Sequence, residues 1–477
     1  MPNKEERRTI TMRKKNKEKR SQKPEGKKRY TSRIGMVGLG IKIKAMKILE
    51  PIVEKVKIKQ KTVKDKPVEK LLDALICILM GVKGLVEINT RLRSEEAIYR
   101  AFGRKRCGEQ SVVQQTLDAS TGENVKEMEE AVKVIFKKHS QAAKHEVKKN
   151  GKLVLDIDLT GRPCGKKAEC ATKGYFSGER NRSGRQVGRV IATQYEEIVV
   201  DQLFEGKKQL YAGVESLMEA AEKVLGLEAA DRVNVIVRLD AGGGTVESVN
   251  WLLKRGYGVI TKDFSGNRAQ KLAATVTQWH DDPQHEGRQI GEVTQPANYV
   301  REVRRIAVRC PRRNGDWAVG ILITTLTPAD VMRLARHPID GKGDEKRLLL
   351  ATVVAYDQRG GGVELSFKQD KQGLHINQRN KKRFAAQQMV MLMEQLAHNL
   401  LIWARRWMSS ATPSLAKLGL LRFVRDVLQT NGQAILTDKT TISGLILNKA
   451  APWAETLATA LASLLRSEHL SISIQRI

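Results

Sequence analysis

The chain has 477 residues and carries 85 Lys and Arg against 53 Asp and Glu, a formal net charge of +32. Its 41% hydrophobic content excludes a disordered chain, and its longest uninterrupted apolar run, residues 74–82, is too short to cross a bilayer. No apolar segment follows the basic N-terminus and no CxxC pair occurs, so we expect a reduced intracellular protein without a secretory signal. The charge predicts a polyanionic partner, and nucleic acid is the commonest one inside a cell.

The first thirty residues form a basic segment with almost no large apolar side chain. They contain 13 Lys and Arg against four Glu, and runs of this kind stay solvated and bind phosphate backbones. We therefore predict a disordered basic arm over residues 1–30, with a plain solubilising tail as the alternative.

Helical patterns dominate residues 31–148, which we predict to be a DNA-binding domain. Residues 68–85 form an apolar stretch of helix length, and residues 123–148 place apolar side chains on one stripe. Between them, the polar segment 109–119 follows the basic sequence GRKR and predicts a short helix. That helix would suit DNA recognition or would simply face solvent, and its polar residues are Ser111, Gln114, Gln115 and Thr116.

The chain then changes to alternating strands and helices, which is typical of an α/β fold. The apolar segment 152–160 predicts a strand, and further strands and helices follow. We assign residues 149–263 to the first part of a catalytic core, 264–350 to a mostly β insertion, and 351–407 to the second part of that core. Residues 408–477 are predicted to form a mainly helical C-terminal region that could serve dimerisation.

Four acidic residues stand out because each lies within an apolar segment or beside a glycine run. Asp156 and Asp158 are two positions apart in one predicted strand and therefore share a face. Asp240 ends a second strand before a glycine run, and Glu364 follows another glycine run. Buried carboxylates need a charged partner or a metal, and without nearby His or Cys they suit Mg²⁺. An arginine partner would explain any one of them, whereas the set suits two-metal phosphoryl displacement.

Three motifs built on these acids resemble those of DDE-type transposases of bacterial insertion sequences. The first is an Asp-x-Thr sequence at Asp158, and the second is an Arg-x-Asp sequence that ends at Asp240 with glycine beyond. The third resembles the family's Tyr–Arg–Glu–Lys signature, but four residues instead of three separate its Arg from its Glu. The signature residues here are Tyr356, Arg359, Glu364 and Lys371.

The resemblance implies an RNase H-like catalytic core that the β insertion interrupts. In it, Asp158, Asp240 and Glu364 would be the catalytic, metal-binding residues for two Mg²⁺ ions, with Mn²⁺ as a substitute. Asp156 shares the strand face of Asp158 and is kept as a further metal ligand. The remaining signature residues and one neighbouring lysine are expected to bind DNA: Tyr356, Arg359, Lys368 and Lys371.

The activity that the resemblance implies is cut-and-paste transposition. Hydrolysis would free a 3′-OH at each element end, and that hydroxyl would attack the other strand or the target DNA. The implied partners are double-stranded DNA, as inverted-repeat ends and as target, and a second copy of the chain in a synaptic homodimer. The expected location is the cytoplasm, in association with the nucleoid. A non-catalytic DNA-binding transposase relic and another RNase H-like nuclease remain the alternatives.

Other features fit ordinary structure as well as function. Two cysteines with a five-residue gap lack a second pair of zinc ligands, and the polar segment 279–285 suits a hairpin end better than a metal site. Positive charge gathers at 103–106, 301–313 and 379–383, which predicts several DNA-facing surfaces. Two tryptophans of the insertion could stack on a flipped base or pack against a hairpin, namely Trp279 and Trp317.

Overall fold

The computed structural model describes residues 26–61, 64–176, 178–336, 345–438 and 441–477. In these residues, helices and strands form a mixed α/β structure with two sheets. Most of the predicted basic arm, residues 1–25, lies outside the described part of the chain. Within that part, no helix is both long enough and apolar enough to cross a membrane.

Helices build the N-terminal part of the structure, as the apolar stripes predict. The elements up to residue 150 are β1 (Lys27–Thr31), α1 (Ile34–Ala45), α2 (Glu50–Lys55), α3 (Pro67–Leu79), α4 (Glu96–Ala101), α5 (Gln110–Asp118), α6 (Gly122–His139) and α7 (Val147–Asn150). In α6, Val125, Met128 and Val132 are buried at spacings of three and four residues, so one stripe of the helix faces the core. Thr121 caps its first turn by accepting a hydrogen bond from the backbone N–H of Asn124.

A ten-stranded sheet forms the centre of the described structure. Its strands are β2 (Leu153–Pro163), β3 (Thr172–Phe176), β4 (Glu179–Ala192), β5 (Glu197–Glu205), β6 (Val235–Leu239), β7 (Gly258–Lys262), β8 (His280–Asp281), β9 (Gln289–Glu292), β10 (Arg304–Pro311) and β11 (Trp317–Thr324). The order is β3-β4-β2-β6-β7-β11-β10-β9-β8, and β5 also pairs with β4. β4 and β5 are antiparallel to their neighbours, whereas β6 and β7 run parallel to β2. The insertion strands extend this sheet, because β11 pairs with β7.

Apolar cores cover both faces of the large sheet. The helices that follow β5 are α8 (Val214–Leu225), α9 (Val246–Lys254), α10 (Gly266–Ala273), α11 (Pro328–Ala335), α12 (Glu345–Asp357), α13 (Val363–Gln369), α14 (Phe384–Ser409) and α15 (Leu420–Arg422). On β2, Leu155 and Ile157 pack into the larger core, whereas Val154 packs into a second core with residues of α11 and α12. Because side chains alternate along a strand, Asp156 and Asp158 lie on the α12 side.

The C-terminal region, which was predicted to be mainly helical, combines helical segments with three strands. It contains β12 (Gly432–Leu436), β13 (Ile442–Asn448) and β14 (Ser471–Gln475), with α16 (Ala454–Leu464) packed against the last two. β1 completes this four-stranded sheet by pairing antiparallel with β12, so residues 27–30 of the predicted disordered arm lie in a strand. A local sequence pattern cannot predict this pairing, because the two strands lie near opposite ends of the chain.

Candidate active site

The register of the parallel strands β2 and β6 places Asp158 next to Asp240. Asp156 on β2 lies opposite Arg238 on β6. Two residues further along, Asp158 and Asp240 are therefore side by side, at a strand spacing of about 4.8 Å. Asp240 directly follows β6, and the Thr261 hydroxyl at the end of β7 donates a hydrogen bond to its carbonyl at 3.1 Å.

A glycine run brings the third acid to the same face of the sheet. α12 ends at Asp357, a 3-10 turn spans Gln358–Gly361, and α13 begins at Val363. Between them, Gly362 passes directly over Asp156, where a Cβ atom would lie 2.2 Å from Oδ2. A larger residue at position 362 would therefore require Asp156 or the backbone to shift. Glu364 follows in the first turn of α13 with 55% of its side chain exposed.

Arg359 joins the first and third acids. Its Nη2 lies 3.0 Å from Asp158 Oδ2, and its Nη1 lies 2.5 Å from Glu364 Oε1. The guanidinium is 4% exposed, whereas Asp240 Oδ1 is buried with no hydrogen-bond partner among the described residues. Three carboxylates therefore surround a single guanidinium, and one buried oxygen is left for a further cation.

The pKa of Asp158 is shifted from its ordinary value by its surroundings in the cluster. Burial raises the pKa of this carboxyl to about 6, Arg359 opposes the rise, and Asp240 and Glu364 add to it. A carboxyl whose pKa is perturbed by burial and by neighbouring charges is typical of a functional site.

Asp156 is held quite differently, although it lies on the same strand face. Arg238 donates to its two oxygens at 2.5 and 2.8 Å, and the Thr193 hydroxyl donates to Oδ2 at 2.6 Å. Arg238 also donates to the Ala355 carbonyl at 2.8 Å, so the fully buried pair fastens β2 to β6 and to α12. The prediction of Asp156 as a metal ligand disagrees with this geometry, because the carboxylate is fully buried and its charge is already compensated by Arg238.

The signature residues expected to bind DNA occupy different environments. Lys371 lies in the cleft, where its Nζ donates to the Thr160 hydroxyl at 2.5 Å, and burial lowers its pKa. Tyr356 is 7% exposed, and burial raises the pKa of its hydroxyl. Lys368 is exposed on α13. The cleft therefore contains Lys371 and Tyr356, while Lys368 is available at the surface.

A lysine at the end of β7 belongs to the same cleft and was missed by the sequence analysis. The Nζ of Lys262 lies 5.2 Å from the centre of the Tyr356 ring, within the range of a cation–π contact. Its position could have indicated this, because Lys262 ends a strand that runs parallel to β6, and the ends of neighbouring parallel strands lie at the same edge of a sheet.

A buried ion network that the sequence did not reveal supports α13 from behind. Arg189 donates to Asp201 at 2.9 and 2.8 Å, lies 2.6 Å from Asp370, and stacks on the Phe367 ring at 4.4 Å. The Nδ1 of His398 lies 2.7 Å from the same Asp370. Because buried charges need these partners, the network fixes the helix that carries Glu364.

Part of the charge that was predicted to face DNA forms ion pairs within the fold instead. In the segment 103–106, Arg104 is 5% exposed and lies 2.9 Å from Asp73. In the segment 301–313, Arg304 pairs with Glu292 at 2.7 Å. The arginines of that segment that stay exposed are Arg301, Arg312 and Arg313.

Some side chains of the predicted recognition helix, and both tryptophans, also make contacts within the protein. In α5, Thr116 is buried and Gln114 bonds to Lys381, so Ser111 and Gln115 are the predicted contacts that remain exposed. In the insertion, the Arg309 guanidinium lies 3.9 Å from the Trp279 ring centre and 4.4 Å from that of Trp317. This arrangement favours the packing interpretation of both tryptophans, because Arg309 occupies one face of each ring.

A metal ion at the acid cluster would compete with Arg359 for the carboxylates of Asp158 and Glu364. In the part of the chain that the structure describes, no group of three or more His, Cys, Asp or Glu side chains is arranged to hold a metal ion. At the acid cluster, Arg359 stands between Asp158 and Glu364. The donor set still fits a hard divalent cation, because it consists of carboxylates and includes the unpartnered Oδ1 of Asp240.

Similarity to known proteins extends along most of the chain. The model of a family described as "Transposase DDE domain group 1" matches residues 21–469. A comparison of the sequence with curated proteins found no match. Among solved structures, the fold is similar to the piggyBac transposase in a cryo-EM synaptic complex with hairpin DNA, with 10% identity and a TM-score of 0.45. That similarity covers 91% of this chain and 81% of the other.

Proposed function

Because the chain belongs to the Transposase DDE domain group 1 family, we propose that it is a cut-and-paste DNA transposase. It would hydrolyse a phosphodiester at each end of its element and join the freed 3′-OH to target DNA. The observation that carries this proposal is the cluster of Asp158, Asp240 and Glu364, which three separate segments bring together around Arg359.

The core that holds this cluster is proposed to be RNase H-like. The strand order β5-β4-β2-β6-β7 supports this, with β4 and β5 antiparallel and with β6 and β7 parallel to β2. Strands β8 to β11 follow β7 in sequence and separate the second acid from the third. They would form the insertion within that core.

Asp158, Asp240 and Glu364 would hold the divalent ions, which we propose to be two Mg²⁺ ions, with Mn²⁺ as a substitute. When bound, such ions activate the attacking oxygen and stabilise the leaving oxygen of an in-line displacement. Arg359 would exchange a carboxylate partner for a DNA phosphate, which matches the guanidinium fork equally well.

The hydrolytic step joins a water oxygen to phosphorus and breaks the bond from phosphorus to the 3′ oxygen. One water proton ends on that oxygen, so the products are a 3′-OH and a 5′-phosphate, and the other proton leaves to solvent. In strand transfer, the 3′-OH replaces the 3′ oxygen of another phosphodiester in the same way. Lys371, Lys368 and Lys262 would hold the DNA backbone at the cleft, with Tyr356 beside them.

The proposed partners follow from this reaction. They are double-stranded DNA, both the inverted-repeat ends and the target, and a second copy of the chain that holds the other end. The proposed location is the cytoplasm, in association with the nucleoid. A catalytically inactive DNA-binding relic is the alternative, but a DNA-binding protein has no use for three clustered carboxylates that repel one another and the phosphate backbone.

The test is cleavage of end DNA by purified protein with Mg²⁺. Asp240→Asn or Glu364→Gln should abolish cleavage and leave end binding largely intact. Glu247→Gln, an exposed carboxylate on the neighbouring helix α9, is the matched control and should cleave normally. Mg²⁺-dependent nicking that persists in both cluster variants would contradict the assignment. End binding without cleavage by the unaltered protein would favour the relic.

A further inference from the structure

Besides apolar packing around Tyr356, the insertion makes a polar contact with the signature segment through one arginine. Arg288 precedes β9, and its Nη1 lies 2.6 Å from Asp357 Oδ2 at the C-terminal end of α12. A cation at that position also interacts favourably with the negative end of the helix dipole. Asp357 lies between Tyr356 and Arg359 in the sequence, so this contact is made inside the signature.

The loop that carries Arg288 is built to hold it in place. The Asp282 carboxylate accepts hydrogen bonds from Arg288 Nε at 2.5 Å and from the backbone N–H of Gln284 at 2.9 Å. Asp282 is 3% exposed and Arg288 is 11% exposed. Backbone hydrogen bonds close the loop between the same two residues, from Asp282 N–H to the Arg288 carbonyl at 2.9 Å. The polar segment 279–285 is therefore a hairpin end that orients an arginine.

The segment beyond Asp357 needs such an anchor. Three glycines in succession, residues 360–362, give the backbone little resistance to motion. At one end of this run, Gly362 is pressed against Asp156. At the other end, Asp357 is held by Arg288. Arg359 and Glu364 lie between or directly after these two anchor points.

Arg288 also compensates a carboxylate that would otherwise interfere. Asp357 is close enough to the cleft to contribute to the raised pKa of Tyr356. Its side chain is 39% exposed, and without a partner its charge would repel a DNA phosphate at the same entrance. Arg288, which also pairs with Asp282, offsets part of that charge through its Nη1 and fixes the direction of the Asp357 side chain.

From these contacts we infer that Arg288, on the insertion, is a positioning residue for the signature turn, and that it acts through Asp357 to hold Arg359 and Glu364 in place. This inference rests on the proposed function for its catalytic consequence. The insertion thereby has a task at the active site in addition to any contact with DNA. Removal of the contact should impair turnover more than DNA binding, because Arg288 is 11% exposed and already paired with Asp282 and Asp357.

The first measurement is amide hydrogen exchange of the full chain without DNA, which does not depend on activity. Arg288→Gln should speed exchange at residues 358–364 by about tenfold, as expected for a lost tertiary constraint. Asp357→Asn, a nearly isosteric change at a half-exposed site, should do the same. Glu286→Gln, an exposed residue of the same loop, is the control and should change nothing. Unaltered exchange in both Arg288→Gln and Asp357→Asn would overturn the inference.

The second measurement is the rate of end cleavage. Each variant should lower kcat about tenfold with KM for end DNA within about twofold, and the double variant should lose no more than either single one. Arg288→Lys should recover part of the rate, because it keeps the charge beside Asp357 but not the fork on Asp282. Independent, additive losses would overturn the inference. If exchange changes as expected but the unaltered protein cleaves nothing, the positioning role stands and the proposed function fails.

Discussion

Asp156 and Asp158 are two residues apart on one strand face, yet their surroundings differ. Asp156 is fully buried, and Arg238 and Thr193 bond to both of its oxygens. Asp158 shares Arg359 with Glu364, lies beside Asp240, and has a pKa raised to about 6. The first carboxylate is compensated by its own arginine and holds strands together. The second accepts a hydrogen bond from the Leu159 backbone N–H and shares its arginine with another acid, which is why Asp158 and not Asp156 is proposed as a metal ligand.

The largest expected difference is in catalysis. Asp158→Asn should lower the rate of Mg²⁺-dependent end cleavage by about 10³-fold or more, because a neutral amide cannot replace a carboxylate beside the reacting phosphate. Single-turnover nicking of labelled end DNA measures this loss, with Glu247→Gln as the control. Cleavage within about tenfold of the unaltered protein would remove Asp158 from the catalytic set.

Asp156→Asn should act on stability instead. It leaves the buried Arg238 guanidinium without its counter-charge, and removal of one partner of a buried ion pair costs about 3 kcal/mol or more. Urea denaturation at pH 7.5 should show the free energy of unfolding reduced by that amount. A stable Asp156→Asn protein that has lost its metal-dependent cleavage would reverse the roles assigned to the two acids.

The two acids should also differ in the pH dependence of stability. The Asp158 carboxyl has a folded-state pKa of about 6, above its ordinary 3.8, so its protonated form is favoured by folding. The stability it contributes is complete below pH 3.8 and is lost as the pH rises through about 6, on the order of 3 kcal/mol. In EDTA, Asp158→Asn should therefore gain stability relative to the unaltered protein between pH 4 and pH 7. Parallel curves over that range would contradict the raised pKa.

The smallest expected effect concerns the glycine that passes over Asp156. Gly362→Ala places a methyl group 2.2 Å from Asp156 Oδ2, and overpacking of this kind costs about 1–2 kcal/mol. Gly361→Ala is the matched control, because a Cβ atom at Gly361 meets no atom within 4 Å. Thermal denaturation compares the two, and an equal melting temperature would show that the Asp156 pocket is looser than described.

The sequence predicted the secondary structure around the site and the acids themselves. β2, β6 and α13 occur close to where the apolar runs and glycines place them. It did not distinguish Asp156 from Asp158, because that choice depends on the register that sets Arg238 opposite Asp156. Nor did it find Lys262 or the contact between Arg288 and Asp357, since each joins residues that are remote in sequence.

The sequence did not predict which basic residues face the solvent. Arg104 and Arg304 were counted toward DNA-facing surfaces, but each neutralises a carboxylate of the fold. A net charge of +32 therefore identifies the class of partner without locating the surface that meets it. The assignment of β1 to a disordered arm had a similar origin, because basic composition concealed a strand whose partner is β12.

The central claim is that Asp158, Asp240 and Glu364 share bound divalent ions, and Fe²⁺-directed cleavage of the protein backbone tests it most directly. Fe²⁺ replaces Mg²⁺ at carboxylate sites, and with ascorbate and peroxide it cuts the chain near its ligands. We predict cuts near residues 158, 240 and 364 in the same protein, suppressed by excess Mg²⁺ and lost together in Asp240→Asn. Cuts confined to one of these segments, or cuts elsewhere that Asp240→Asn leaves unchanged, would contradict a shared metal site.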